Sequence, residues 1–171
     1  NSSLVGPSFV TTANCSLIEA DWFMYEPERK FDFVIFKTVL HHFVGNSDKK
    51  TRETQILGLL KAADALKDDG VLIVQENFYE SVLQSIDLSG RLIYEITKMT
   101  LIEKITRKLG ANTAGEGVRF RNMKAWTNIF EETGFKVESA VKKQWDWQLW
   151  QKISLLGKHR YQAVLKLSKF K

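Results

Sequence analysis

Two adjacent histidines, His41 and His42, are the side chains of this 171-residue chain best suited to move a proton near neutral pH. Neighbouring imidazoles also suggest a metal pair, but adjacent residues of a helix point about 100° apart and do not face each other. No acid or cysteine stands near them in the sequence at a spacing that would complete a metal site. We therefore expect no metal. Both histidines are candidates for a general base, and His42 is also a candidate substrate contact.

Other polar side chains stand where predicted elements begin or end. Glu76 and Asn77 directly follow an apolar run, which makes Glu76 a third candidate for a general base and Asn77 a candidate substrate contact. Arg119 and Arg121 precede a predicted helix. They are either ordinary surface charge or a means of steering an anionic acceptor. In the second case Arg121 is the candidate substrate contact.

Three of the five tryptophans, Trp145, Trp147 and Trp150, fall within six positions. They predict packing at the end of a sheet, an aromatic wall for a planar acceptor, or a surface on which nucleic-acid bases stack. We favour packing, and we take Trp147 as the candidate substrate contact.

The composition is that of one soluble globular domain, with 44% hydrophobic and 26% charged residues and a mean hydropathy of -0.22. Its apolar runs are far shorter than the roughly 20 residues of a membrane span, and no signal peptide is recognisable. The single cysteine, Cys15, excludes an internal disulfide and a four-cysteine zinc site. We expect a cytoplasmic protein that does not contact a membrane.

The net charge of +5 arises at the C-terminal end, where residues 142–171 contain eight basic residues and one acid. A basic face of this kind can follow nucleic-acid phosphates. Because Lys166, Lys169 and Lys171 interrupt a strand-like run, we favour a lysine-guarded edge strand or a solvated face instead.

A strand–helix–strand unit occupies the first half of the chain. Residues 31–36 and 71–75 are short apolar runs that predict strands buried on both faces of a parallel sheet. We expect Ser47 or Asp48 to cap the intervening helix, and residues 68–70 (DDG) to form the turn after it. The predicted inward face of this helix consists of Ile56, Leu59, Leu60, Ala63 and Leu66.

Further elements flank this unit. Residues 16–21 predict a short strand that ends in Asp21, and residues 79–109 predict a helical region interrupted at Ser89-Gly90. Strands are expected at 136–141 and 161–167. A helix between Asn122, its cap, and Gly134, its end, is expected to bury Met123, Trp126, Ile129 and Phe130.

The order of these pieces resembles the C-terminal portion of class I S-adenosylmethionine-dependent methyltransferases. FDFVIFKTVLHHF (31–43) and LKDDGVLIVQE (66–76) are similar to the family's fourth strand and to the entry into its fifth. WTNIFEETGFKVESA (126–140) resembles the helix that enters the sixth strand, and Asp21 matches the acid that ends the third.

The resemblance implies an α/β fold with a Rossmann-like sheet whose N-terminal strands are missing and whose last strands are partly antiparallel. It also implies one partial domain over residues 1–171, with a helical insertion after the fifth strand at about 78–121. The glycine-rich turn of the family is absent from the sequence, and so is a recognisable second-strand acid. We therefore expect a fragment of a longer protein. There are two alternatives. Another chain supplies the missing half, or the domain is a degenerate relative that no longer binds the cofactor.

By this resemblance the cofactor is S-adenosylmethionine, which binds beyond the carboxyl ends of the strands. Asp21 would accept a hydrogen bond from the adenine amino group, and Trp22 would offer a backbone N–H or a ring face. Phe36 and Lys37 would lie at the methionine part. A histidine at position 41 or 42 would help to form the pocket.

The implied function is methyl transfer to an O, N or C atom of a small-molecule acceptor, by a fragment that does not bind the cofactor fully by itself. The sequence identifies neither the acceptor nor the atom. One alternative is a non-catalytic module that pairs with a partner chain, or with a second copy, through an open sheet edge. Another is a nucleic-acid-binding domain that uses the basic C-terminal face.

Overall fold

The computed structural model describes residues 18–82, 87–98, 117–146, 149–154 and 156–170. Within these ranges, no helix combines the length and apolarity that a membrane span requires. A 3-10 turn at Leu40–His42 lies between the first strand and the first helix. The other elements, in chain order, are β1 (Phe31–Lys37), α1 (Asp48–Ala65), β2 (Leu66–Ser81), α2 (Leu88–Lys98), α3 (Met123–Glu132), β3 (Phe135–Trp145), α4 (Leu149–Ser154) and β4 (Gly157–Lys169).

The four described strands form one sheet in the order β1-β2-β4-β3. β1 is parallel to β2, with Phe33 opposite Val71 and Lys37 opposite Gln75, and α1 makes the crossover between them. β4 is antiparallel to both β2 and β3. The predicted βαβ unit and the partly antiparallel end of the sheet are both confirmed.

One face of the sheet packs against α1 and α3 to form the core. α3 begins as predicted, because the Asn122 side chain accepts a hydrogen bond from the Ala125 N–H at 2.8 Å. The helix buries Trp126, Ile129 and Phe130, and the chain leaves it through Gly134 at φ 82°. From the strands, the core takes Val34, Phe36, Leu72, Val74, Phe78, Phe135, Ala163, Leu165 and Leu167.

The prediction that the first strand is buried on both faces is wrong. Val34 and Phe36 are buried, but Phe33 is 61% exposed and Ile35 is 63% exposed. Alternate side chains of a strand point to opposite faces, and the described helices cover only one of them. β1 is also an edge strand of the described sheet, so one side of its backbone has no neighbouring strand there.

The inward face of α1 also differs from the prediction. Ser47 caps the helix by accepting a hydrogen bond from the Lys50 N–H at 3.2 Å, as expected. Leu60, however, is 42% exposed. The buried positions are Thr51, Gln55, Gly58, Leu59, Ala62 and Ala65. A search for apolar periodicity misses this face because two of its residues are polar and find buried hydrogen-bond partners.

Four further predictions about the elements need correction. Asp68, Asp69 and Gly70 do not form a separate turn but belong to an irregular stretch of β2, where the partners jump from Phe31–Leu66 to Phe33–Val71. β2 continues to Ser81, so the insertion starts later than predicted.

Ser89 and Gly90 do not interrupt the insertion but lie buried inside α2. Residues 83–86 and 99–116 of the insertion lie outside the described residues. Ile18–Asp21 is not a strand, and residues 16 and 17 fall outside the description.

The two C-terminal strands are present, and both are longer than predicted. β4, however, lies between β2 and β3, so it is not a lysine-guarded edge strand. Lys166 instead projects from the exposed face of an internal strand.

Candidate active site

A buried histidine–carboxylate pair lies just beyond the point at which the parallel pairing of β1 with β2 ends. His41 Nδ1 is 2.7 Å from Glu76 Oε1, and the side chains are 6% and 1% exposed. The second carboxylate oxygen accepts the His41 backbone N–H at 3.3 Å. Because a carboxylate is an acceptor, the bonded Nδ1 of a neutral His41 carries the proton and leaves Nε2 as the basic nitrogen.

The pair forms because β1 and β2 are adjacent and parallel. Lys37 is opposite Gln75, so the chain leaves β1 beside the residue that precedes Glu76. Thr38 takes a φ of 51°, rare for a non-glycine residue, and its N–H donates to the Gln75 carbonyl at 2.7 Å. This bend leads into the 3-10 turn that carries His41.

Aromatic rings enclose the His41 imidazole. The Phe120 ring stacks on it with centroids 4.3 Å apart and planes at 27°. The His42 ring lies 4.2 Å away, and the His42 residue is exposed. Tyr79 also contacts the Phe120 ring, with ring centroids 4.7 Å apart.

Residues 118–122 are consecutively buried although they belong to no helix or multi-residue strand. The Arg119 N–H donates to the His41 carbonyl at 2.9 Å. Gln55 of α1 donates to the Leu40 and Arg119 carbonyls at 3.2 and 3.3 Å. The segment is thus bonded directly to His41, the middle residue of the turn, and through Gln55 to Leu40, its first residue.

The two arginines of this segment are buried ion-pair partners. Arg119 Nε lies 2.7 Å from Asp48 Oδ1, and its Nη1 lies 2.9 Å from Asp87 Oδ2. Arg121 Nε donates to Gln55 Oε1 at 2.6 Å. The expectation that these arginines are ordinary surface charge is therefore wrong, whereas the role of Arg121 as an acceptor contact stays a prediction.

Burial and charge act against each other in this cluster. Burial raises the pKa of Asp87 above its usual range, and the arginines offset this only in part. Burial alone would also raise the pKa of Asp48, but its hydrogen bond with Arg119 holds that pKa below the ordinary value. Burial, together with the charge of Arg119, lowers the pKa of Arg121 to about 10.

Sequence reasoning named His41, His42 and Glu76 separately and missed that His41 and Glu76 form a pair, because 35 residues separate them. It also missed Gln55, Asp87 and Phe120. The signal that could have found Gln55 is its i,i+4 spacing from Thr51, which places both on one face of a helix.

The predicted adenine contact, Asp21, is an exposed residue at the start of a turn. Its carboxylate accepts the Phe23 N–H at 2.9 Å, and its carbonyl accepts the Met24 and Tyr25 N–H groups. The Trp22 indole N–H already donates to the Gly58 carbonyl at 3.1 Å, so only the ring face and the backbone of Trp22 remain for a ligand.

An open apolar depression of about 440 Å³ lies beside this turn. Phe36, buried and packed edge-on against Trp22 at 5.3 Å, lines it, whereas Lys37 is exposed. An exposed carboxylate can accept a hydrogen bond from an amino group, and apolar walls suit a planar base. These residues therefore fit the adenine end of the expected cofactor. The depression is lined by Trp22, Tyr25, Phe31, Phe33, Val34, Ile35, Phe36, Val39 and Phe43.

The remaining predicted contacts are dispersed. The Asn77 N–H donates to Glu76 Oε1 at 2.7 Å, which places Asn77 directly beside the histidine pair. Trp145 is 37% exposed, and the Arg160 guanidinium packs over its ring at 4.9 Å. Trp147 and the Trp150 side chain lie outside the described residues. Across the part of the chain that is described, no group of three or more His, Cys, Asp or Glu could hold a metal ion.

Several solved structures share this fold. The chain is 18% identical to the mitomycin 7-O-methyltransferase MmcR, with a TM-score of 0.51 over 91% of this chain and 34% of that one. TnmH is 12% identical, with a TM-score of 0.53 over 91% of this chain and 35% of its own. The MccD protein is 12% identical, with a TM-score of 0.54 over 88% of this chain and 66% of its own. No family model and no curated protein matches the chain.

At these identities the likeness establishes the fold alone. The described sheet and helices have the Rossmann-like α/β fold of class I methyltransferases, as the resemblance implied. The chain spans about a third of the length of MmcR and of TnmH.

Proposed function

We propose that the chain forms the acceptor-activating part of an S-adenosylmethionine-dependent methyltransferase that acts on a small molecule. The observation that carries this proposal is the buried His41–Glu76 pair, which lies just beyond the parallel pairing of β1 with β2, at the edge of the sheet where β1 ends. In open α/β sheets this is the edge at which ligands bind. The methyltransferase fold supplies the reaction class by analogy.

His41 is the proposed general base. Glu76 accepts the Nδ1–H bond and presents Nε2 as the acceptor of a proton from an acceptor hydroxyl. With the cofactor bound, the acceptor hydroxyl would lose its proton to Nε2 while its oxygen took the methyl group that the sulfonium released. We therefore take a hydroxyl as the proposed acceptor group.

The rest of the proposed site binds and orients. Asp21 and the ring of Trp22 would hold the adenine end of the cofactor, and Phe36 and Lys37 would lie nearer its methionine end. When bound, the cofactor supplies an electrophilic methyl group. His42, Asn77, Arg121 and Trp147 remain proposed substrate contacts, and Gln55 already occupies the Nε of Arg121.

The test is transfer of an isotope-labelled methyl group from S-adenosylmethionine, by the complete natural polypeptide that contains these residues, to a panel of small hydroxylated acceptors. We expect His41→Asn to lower the rate at least about 100-fold, as expected for loss of a general base. The matched control, His42→Asn, changes mainly the KM of the acceptor. Equal activity of His41→Asn and the parent protein would refute the assignment of the base.

A second candidate function, a non-catalytic module that pairs with another polypeptide, is favoured by one observation. β1 presents an unpaired edge in the described sheet and the exposed side chains of Phe33 and Ile35. Calorimetric titration of the complete polypeptide with S-adenosylhomocysteine separates the two candidates. Binding supports the enzyme, and failure to bind supports the module.

A further inference from the structure

We propose that Phe120 is a positioning residue for the His41 imidazole and that Arg119 anchors the segment that carries it. This inference rests on the proposed function, in which His41 is the base. It goes beyond that function by naming what fixes the direction of Nε2.

The hydrogen bond to Glu76 does not fix the imidazole by itself. A single hydrogen bond at Nδ1 still allows the ring to tilt by rotation about its Cβ–Cγ bond, within the range of angles that a hydrogen bond tolerates. The Phe120 ring, stacked at 4.3 Å with its plane 27° from that of His41, opposes this tilt. The hydrogen bond at Nδ1 and the Phe120 ring stacked on the imidazole together set the direction in which Nε2 points.

Phe120 has little room to move away from His41. Tyr79 packs against its ring, with centroids 4.7 Å apart. Behind its backbone, α2 approaches so closely that a Cβ at Gly90 would lie 2.1 Å from the Phe120 carbonyl oxygen. A glycine at this position therefore lets the helix support the segment directly.

Arg119 fixes the same segment from within. Its guanidinium is 1% exposed and pairs with Asp48 of α1 and with Asp87, which directly precedes α2. Its backbone N–H bonds the His41 carbonyl. The side chain therefore fixes the segment between two helices while the main chain holds the turn that carries the histidine.

The test compares Phe120→Leu with Phe130→Leu. Phe130 is another buried ring, less exposed than Phe120, and it stacks on Trp126. In the complete polypeptide we expect Phe120→Leu to lower kcat about threefold to tenfold while KM changes less than about twofold, since ring orientation and not binding is lost. Phe120→Tyr, which keeps the ring, should restore kcat. Phe130→Leu should lower the thermal midpoint without changing kcat.

A second readout does not depend on turnover. The ring 15N and 13C signals of His41 in this chain should move or broaden in Phe120→Leu and stay unchanged in Phe130→Leu. If Phe120→Leu does not fold, Phe120→Met is judged by the same criteria. Parental kcat together with unchanged His41 signals would overturn the proposal. The signals remain informative if His41→Asn is fully active, so a failure of the proposed base is distinguishable from a failure of this inference.

Discussion

The surroundings of His41 and of Asp21 differ in almost every physical respect. His41 is buried, bonded by Glu76 at both its ring and its backbone, and stacked on Phe120. Asp21 is exposed at the start of a turn, beside an open apolar depression. The proposed proton-transfer site is therefore preorganised by the described residues, whereas the proposed cofactor surface is open.

This difference indicates how substitutions in the two regions should behave. A change near His41 removes interactions that are already formed, so it alters the chemical step or the stability of the fold. A change at the open surface removes contacts that form only when a ligand binds, so it alters affinity and leaves the fold intact. Four substitutions test this contrast.

The largest effect is expected for Glu76→Gln. An amide can donate to Nδ1 and stabilise the tautomer that protonates Nε2, which blocks the base. We expect kcat of the complete polypeptide to fall about 100-fold or more, with unchanged affinity for S-adenosylhomocysteine. The exposed Glu131→Gln is the control. A Glu76→Gln protein with parental kcat would remove the pair from the mechanism.

Asp21→Ala should have the opposite pattern. Loss of one charge-assisted hydrogen bond predicts an affinity for S-adenosylhomocysteine about tenfold lower by calorimetry, with no change in the ring signals of His41. Asp69→Ala, at another exposed position, should bind as the parent does. An Asp21→Ala protein that also bound as the parent would show that adenine does not contact this carboxylate.

Asp48→Asn tests the support of the buried segment through its pH dependence. The pKa of Asp48 is lower in the folded chain than its ordinary value of 3.8, so the carboxylate stabilises the fold above about pH 4. That stabilisation is lost as the pH falls through the lower folded pKa.

The side chain of Asp48 is 38% exposed, so solvent screening reduces the expected loss at pH 7 to about 1 kcal/mol. Urea unfolding of the chain should show this loss shrinking in acid, and Asp68→Asn should show none. A loss that stayed constant between pH 7 and pH 3 would exclude the ion pair as its cause.

The smallest effect is expected for Ile35→Thr on the open face of β1. Its side chain is 63% exposed, so the free energy of unfolding should change by less than about 0.5 kcal/mol. Val34→Thr, one residue earlier and buried, places a hydroxyl in the core and should cost about 1–3 kcal/mol. Equal costs at the two positions would mean that both faces of β1 are covered.

Strand and helix order could be predicted from the sequence because it depends on local apolar runs, caps and turns. The Asn122 cap and β1 are such cases. The buried face of α1 could not be predicted, since Gln55 is buried only because carbonyls of the 3-10 turn and of residue 119 accept its amide protons.

The candidate site shows the same division. His41 and Glu76 could be named from their residue types and their positions after apolar runs. Their pairing depends on the register of two strands whose residues are 35 positions apart. The role of Phe120 depends on a buried irregular segment, for which no periodic pattern exists.

The most direct test of the central claim is the protonation pattern of the His41 ring. Long-range 15N–1H correlation spectra of the chain with 15N-labelled histidine distinguish the two tautomers. They are recorded at a pH at which the imidazole is neutral. The pairing with Glu76 predicts a proton on Nδ1 and a free Nε2 lone pair, and His42→Asn should leave that pattern unchanged. A proton on Nε2 would contradict the account, because the nitrogen that should receive the acceptor's proton would already carry one.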